Sequence, residues 1–304
     1  MPIAYRRSIP AAILVVASLV VSRSGAVVRA QSASDRQGHV TVAVLGKDDV
    51  PITTLAEKDF VVREDNVSRE ILKVTPGVTP SHVVLLVDDS QANVNAVSFL
   101  RDGLKTFIEK VMTHAPAPQM RITTFGDRPT LRQDFTTATA MLTRQVDRVF
   151  PQTGAGSRLL DAISETCRDL KIKRIAGATL VAVVNEAGPE FSEISHTRIE
   201  EELRGASATL WTVVLQDARG GNQSSEARER SIVIGDVTRD SGGMNKNVLG
   251  AQTLGPALES VATMLVSQYA ITYGRPDRLI PASRLSVETT DRGARALFRR
   301  WATP

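Results

Sequence analysis

Apolar runs of strand length alternate with helically spaced apolar residues through most of this chain. Val83-Val84-Leu85-Leu86-Val87 is continuous in apolar character, the pattern of a strand buried on both faces. Val97, Leu100, Leu104, Phe107, Ile108 and Val111 then recur at three- and four-residue steps, the pattern of an amphipathic helix. The same reading places strands at 83–88, 119–125, 130–134, 178–184, 209–215 and 268–273. Helices are expected near 94–113, 138–149, 157–173, 194–205, 225–238 and 254–267. Strands alternating with helices predict an α/β fold, a doubly wound, mostly parallel sheet with helices on both faces. The pair 119–125 and 130–134, joined by Gly126-Asp127-Arg128-Pro129, reads as a hairpin that adds one antiparallel strand.

Toward the amino end the period changes to two. His39 to Gly46, Phe60-Val61-Val62-Arg63 and Ile71-Leu72-Lys73-Val74 read as strands, with Glu64-Asp65-Asn66 as the polar turn between the last two. Residues 38–78 are thus a small β leader unit, and Pro76, Gly77 and Pro80 mark its junction with the α/β domain at 81–275. Residues 276–304 form a C-terminal β extension, 31–37 a polar linker, and 216–230 the expected mobile loop.

Composition changes the picture at the amino end. Arg6 and Arg7 precede an apolar stretch from Ile9 to Val21, too short for the ~20 residues of a spanning helix. Small residues follow at Ala26 and Ala30, so residues 1–30 read as a signal peptide cleaved near Ala30, with an uncleaved anchor as the alternative. Export to the periplasm or the extracellular side follows, with no membrane span after cleavage. The chain carries 37 basic and 33 acidic residues, but 1–30 holds Arg6, Arg7, Arg23 and Arg29 and no acid, which leaves 33 of each sign. A neutral mature chain lacks the basic footprint of a nucleic-acid binder. The arginines at 292, 295, 299 and 300 read as a solvated C-terminal segment. Cys167, the single cysteine, falls with Leu160, Ile163 and Leu170 on one helical face, which reads as a buried thiol.

The candidate chemistry lies where strands end. Asp88-Asp89-Ser90 closes the strand at 83–88, and ligands of open α/β sheets bind at the carboxyl ends of the strands. Asp88-x-Ser90-x-Ala92, the turn Thr153-Gly154-Ala155-Gly156-Ser157-Arg158 and the strand end Val184-Asn185-Glu186 together resemble the von Willebrand factor A domain. In that family Asp-x-Ser-x-Ser, a Thr and an Asp form a metal-ion-dependent adhesion site, usually with Mg²⁺. The flanks, Val40 to Asp65, Gln268 to Tyr273 and Arg284 to Val287, resemble exported Acidobacterial-type members. The resemblance implies a metal site of Asp88, Ser90, Ser157 and Glu186, with Asp89, Asn93 and Arg158 as a rim that meets a protein partner. Ala92 removes one hydroxyl ligand and Glu186 carries its carboxylate one methylene further than aspartate. Mg²⁺ demands near-octahedral oxygens at short range, so the expectation is a degenerate site with weak or absent metal.

Two other classes compete. Leu85 to Asn93 also resembles the opening of a phosphorelay receiver, with Asp88 and Asp89 as the acidic pair and Asp134 as the available phosphoacceptor. Asp134 is followed by Phe135-Thr136-Thr137 and sits on the strand read as antiparallel. A hydrolase needs a paired constellation, and His39, His82, His114 and His196 fall at unrelated positions. The chain is therefore expected to be a non-catalytic binding module. The sequons Asn66-Val67-Ser68 and Asn222-Gln223-Ser224 read as incidental surface turns.

Overall fold

The run Val83–Val87 is apolar throughout because both of its faces are covered. In the computed structural model, which describes Met1 and residues 37–216, 224–275 and 282–301, it forms the strand His82–Val87. The leader read at 1–30 and the sequon at Asn222 lie outside the described residues.

In chain order the elements are β1 (Gln37–Leu45), β2 (Phe60–Glu64), β3 (Val67–Arg69), β4 (Ile71–Val78), β5 (His82–Val87) and α1 (Val97–Met112). Then come β6 (Gln119–Thr124), β7 (Thr130–Thr136), α2 (Thr139–Asp147), α3 (Leu159–Ile172), β8 (Thr179–Asn185), α4 (His196–Ala206) and β9 (Thr209–Leu215). After these follow α5 (Ser225–Ile232), a π-helical turn (Val233–Val237), α6 (Thr238–Asp240), β10 (Asn245–Val248) and α7 (Leu254–Leu265). The chain closes with β11 (Gln268–Gly274), β12 (Leu285–Thr289) and β13 (Arg295–Phe298).

Six strands form the main sheet in the order β10-β9-β8-β5-β6-β7, parallel except for the β6–β7 hairpin. Alternate side chains of β5 serve opposite cores. Val83, Leu85 and Val87 pack with Leu104, Phe107 and Ile108 of α1 and with Leu258 and Val261 of α7. Val84 and Leu86 pack with Ile163 and Cys167 of α3 and Leu203 of α4. The doubly wound α/β fold expected from the apolar pattern is the fold observed.

Two smaller antiparallel sheets, β13-β1-β11-β4 and β12-β2-β3, enclose a third core of Val42, Phe60, Val62, Tyr269, Ile271 and Val287. The strand at 268–274, grouped in sequence with the parallel sheet, pairs instead with β1 and β4. Only Val266 and Ser267 separate it from α7, and its Tyr269, Ile271 and Tyr273 are buried in the antiparallel core. The N-terminal strands therefore share their sheets with strands from the C-terminal end. Glu64, read as a turn residue, is fully buried at the end of β2. Its carboxylate accepts from Tyr273 Oη at 3.0 Å and pairs with Arg69 Nε and Arg275 Nε, each at 3.2 Å. One acid thus joins the two small sheets.

The polar strand β10 (Asn-Lys-Asn-Val) has no apolar run to announce it and was missed. Residues 225–230, read both as the end of a mobile loop and as the start of a helix at 225–238, open α5, where Ser224 Oγ accepts from Ala227 N–H.

Candidate functional site

Every loop at the carboxyl edge of the main sheet must satisfy backbone groups that the strands leave behind. Asp88 does this for two of them. One carboxylate oxygen accepts from Ser90 N–H at 2.9 Å and the other from Asn185 N–H at 3.0 Å. Asn93 Nδ2 donates to Asp88 O at 2.8 Å, and Asn185 Nδ2 donates to Ala92 O at 3.0 Å and to Asn93 Oδ1 at 3.2 Å. The ends of β5 and β8 are thereby sewn together by side-chain amides and a carboxylate.

Asp89 works in the other direction. Its Oδ1 accepts from Gly126 N–H at 2.6 Å, and its Oδ2 from Arg132 Nη2 at 3.0 Å and Gln152 Nε2 at 2.9 Å. It holds the β6–β7 turn and the α2–α3 loop against the end of β5. Placing Asp89 and Asn93 on an exposed partner rim is corrected here. Both are buried and their polar atoms are consumed internally. Arg158 remains half-exposed and pairs with Asp161 at 2.9 Å in the first turn of α3.

The second and third loops are zipped into one another. Ser157 N–H donates to Pro189 O at 2.7 Å, Phe191 N–H donates to Ser157 O at 2.8 Å, and Ser157 Oγ donates to Glu190 Oε2 at 2.9 Å. Glu190, not Glu186, is therefore the acid that faces the Ser157 hydroxyl. Glu186 is only half-buried, and its backbone, rather than its carboxylate, is engaged: N–H to Leu215 O and O to Arg230 Nη2. The 186–190 loop lies directly over the first loop. A methyl added at Gly188 would stand 3.2 Å from Ala92 Cβ and 3.5 Å from Ser90 Oγ, so small residues at 92 and 188 permit the approach.

Arg230, from α5, enters this centre and was not foreseen. It is 3% exposed, and its Nη1 donates to Gly188 O at 3.0 Å and lies 3.9 Å from Glu190 Oε2. No sequence signal marks it, because α5 is polar along its length and Arg230 is one arginine among several. Burial pushes the Asp88 carboxyl up, against the pull of hydrogen bonds from Ser90 and Asn185 and of the Arg230 charge. Burial likewise pushes Glu190 up, opposed by Ser192, Arg230 and Ser157.

These residues do not fit a Mg²⁺ ion, which takes six oxygens at close range. Ala92 offers no oxygen and the acid facing Ser157 is Glu190 rather than Glu186, while each Asp88 oxygen already accepts one backbone N–H and the Ser157 hydroxyl donates to Glu190, so the set of ligands is incomplete. At this site two buried side-chain atoms, Ser90 Oγ and Arg230 Nε, have no hydrogen-bond partner among the described residues. No group of three metal-ligating side chains occurs among them.

Asp134, the acceptor of the receiver reading, lies on the antiparallel edge strand β7, separated from β5 by β6. Both of its oxygens accept from Lys173 Nζ, at 3.1 and 3.0 Å. Cys167 is buried, and burial pushes its thiol up to about 12, with the Glu202 charge adding to the effect. The thiolate is the reactive form, and at neutral pH it is then about a thousandfold scarcer than for a free cysteine. Alkylation by iodoacetamide is expected to be negligible in the native protein and rapid in urea. Rapid native labelling would contradict the buried placement.

No family model matches this chain, and no curated protein matches it. Among solved structures, a von Willebrand factor type A protein from Catenulispora acidiphila is 11% identical, over 88% of this chain and 73% of its own, with a TM-score of 0.48. The SpRpn10 VWA domain is 13% identical over 58% of this chain and 93% of its own, with a TM-score of 0.44. The conserved hypothetical protein BatB from Bacteroides thetaiotaomicron is 9% identical over 61% and 99%, with a TM-score of 0.45.

Proposed function

We propose that this chain is a non-catalytic protein-binding module that meets its partner with the loops at the carboxyl ends of the parallel strands. The observation that carries this reading is the exposure of one large apolar side chain on each of four loops, three of which follow parallel strands. Val94 is 56% exposed, Phe150 61%, Phe191 49% and Leu249 80%. They follow β5, α2, β8 and β10 respectively, around a polar centre that is itself closed. Exposed aromatic and aliphatic anchors beside saturated polar groups suit macromolecular contact better than chemistry, since a reacting group must be free to exchange protons or bonds with a substrate. A reading as an exported protein rests on the leader at 1–30. No helix among the described residues is long and apolar enough to cross a membrane.

The test is proximity labelling in the host, comparing the wild-type chain with a Val94→Glu/Phe191→Glu/Leu249→Glu variant. Anchor residues of an interface are each worth about 2 kcal/mol or more, so the triple variant should lose its partners by at least about thirtyfold in affinity. Its melting temperature should stay close to wild type, because none of these side chains is part of a buried core. An unchanged set of labelled proteins would overturn the assignment of this face.

A further inference from the structure

The polar centre contains two buried carboxylates, Asp88 and Glu190, and it needs a positive charge. Burying an unpaired ionised carboxylate is costly, and the usual remedies are a metal or a basic side chain. Among the described residues the guanidinium that pairs with Glu190 is that of Arg230, at 3.9 Å, and it is as deeply buried as the acids. Its planar fork also ties down the loop that covers the site, through Gly188 O at 3.0 Å and Glu186 O at 3.3 Å. Glu190 in turn holds Ser157, and Asp88 holds Asn185.

We propose that Arg230 is the resident cation of this site: its guanidinium, in place of a divalent metal, balances Glu190 and locks the three loops shut. Two observations support it independently. One is the donor set: Ala92 supplies no oxygen, the Asp88 oxygens and the Ser157 hydroxyl are already engaged within the protein, and only Ser90 Oγ is left without a partner. The other is the covering of Ser90 and Ala92 by Gly188, which the Arg230 bond holds down. Partner recognition through the surrounding loops is then indifferent to chelators. The lock itself stands whether or not a partner docks on those loops.

The experiment is thermal unfolding of the full chain in EDTA, in millimolar Mg²⁺ and in millimolar Mn²⁺, for wild type, Ser90→Ala, Arg230→Met, Glu190→Gln and the Arg230→Met/Glu190→Gln double variant. Wild type should melt within about 1 °C in all three conditions, because a metal that binds the folded state would raise the melting temperature. Arg230→Met should melt lower than wild type by about 5 °C or more. The double variant should melt higher than Arg230→Met alone, because neutralising the acid removes the charge that the arginine had balanced. A metal-dependent rise in wild type that Ser90→Ala abolishes would overturn the proposal. So would a double variant that melts as low as, or lower than, Arg230→Met. If neither arginine variant folds, the wild-type comparison decides alone.

Discussion

Asp89→Ala is expected to cost about 3 kcal/mol of stability, which is large for one side chain among loops. Asp89 is fully buried and accepts three hydrogen bonds from three different segments: Gly126 N–H, Gln152 Nε2 and Arg132 Nη2. Alanine leaves the Gly126 N–H and the Gln152 amide without acceptors in a site with little water. Arg132 is about a third exposed and recovers hydration, so it contributes less to the loss. Asp89→Asn keeps one carbonyl oxygen and should lose about half as much. Urea unfolding measures both, and a loss under about 1 kcal/mol for the alanine variant would mean that the loops are held by their backbone bonds alone. Because Asp89 also fixes the loop that carries Ser157, the variant should loosen hydrogen-exchange protection there before the core is affected.

Glu64→Leu is the second large effect, about 3–5 kcal/mol, and it acts at the opposite kind of place. Glu64 sits between two antiparallel sheets with Arg69, Arg275 and Tyr273 converging on it. Arg69 is nearly as buried as the acid, so removing the carboxylate strands a cation in a low-dielectric site. Tyr273→Phe, which removes one neutral donor, should cost only about 1 kcal/mol. The Glu64→Leu/Arg69→Met double variant should recover part of the loss, and a purely additive result would show that the pair is not the source of the effect. The consequence reaches both ends of the described chain, since β2 and β11 lie more than two hundred residues apart in sequence yet share this acid.

The two residues illustrate what a single chain conceals. Asp89 was visible as a carboxylate at a strand end, and that position correctly marked the loop cluster. It was read as part of a partner-binding rim, whereas the structure buries it. Gly126, Arg132 and Gln152, which bury and saturate it, come from segments that local pattern does not bring together. Glu64 was read as part of a polar turn for the same reason. Glu190 and Arg230 were missed outright, because nothing in Gly188-Pro189-Glu190 or in the polar helix α5 indicates that Glu190 meets Ser157 or that Arg230 meets Glu190.

The sequence by itself determined the alternation of strands and helices, the parallel core sheet and the cluster of loops at its carboxyl edge. Those features follow from side-chain periodicity and apolar content, which are local. Only the tertiary structure decided that 268–274 leaves the parallel sheet for the antiparallel one, which acid faces Ser157, and that a guanidinium stands among the buried carboxylates. Strand partners, burial of a charge and its neutralisation are set by segments distant in the chain, and their free energies appear only when those segments meet.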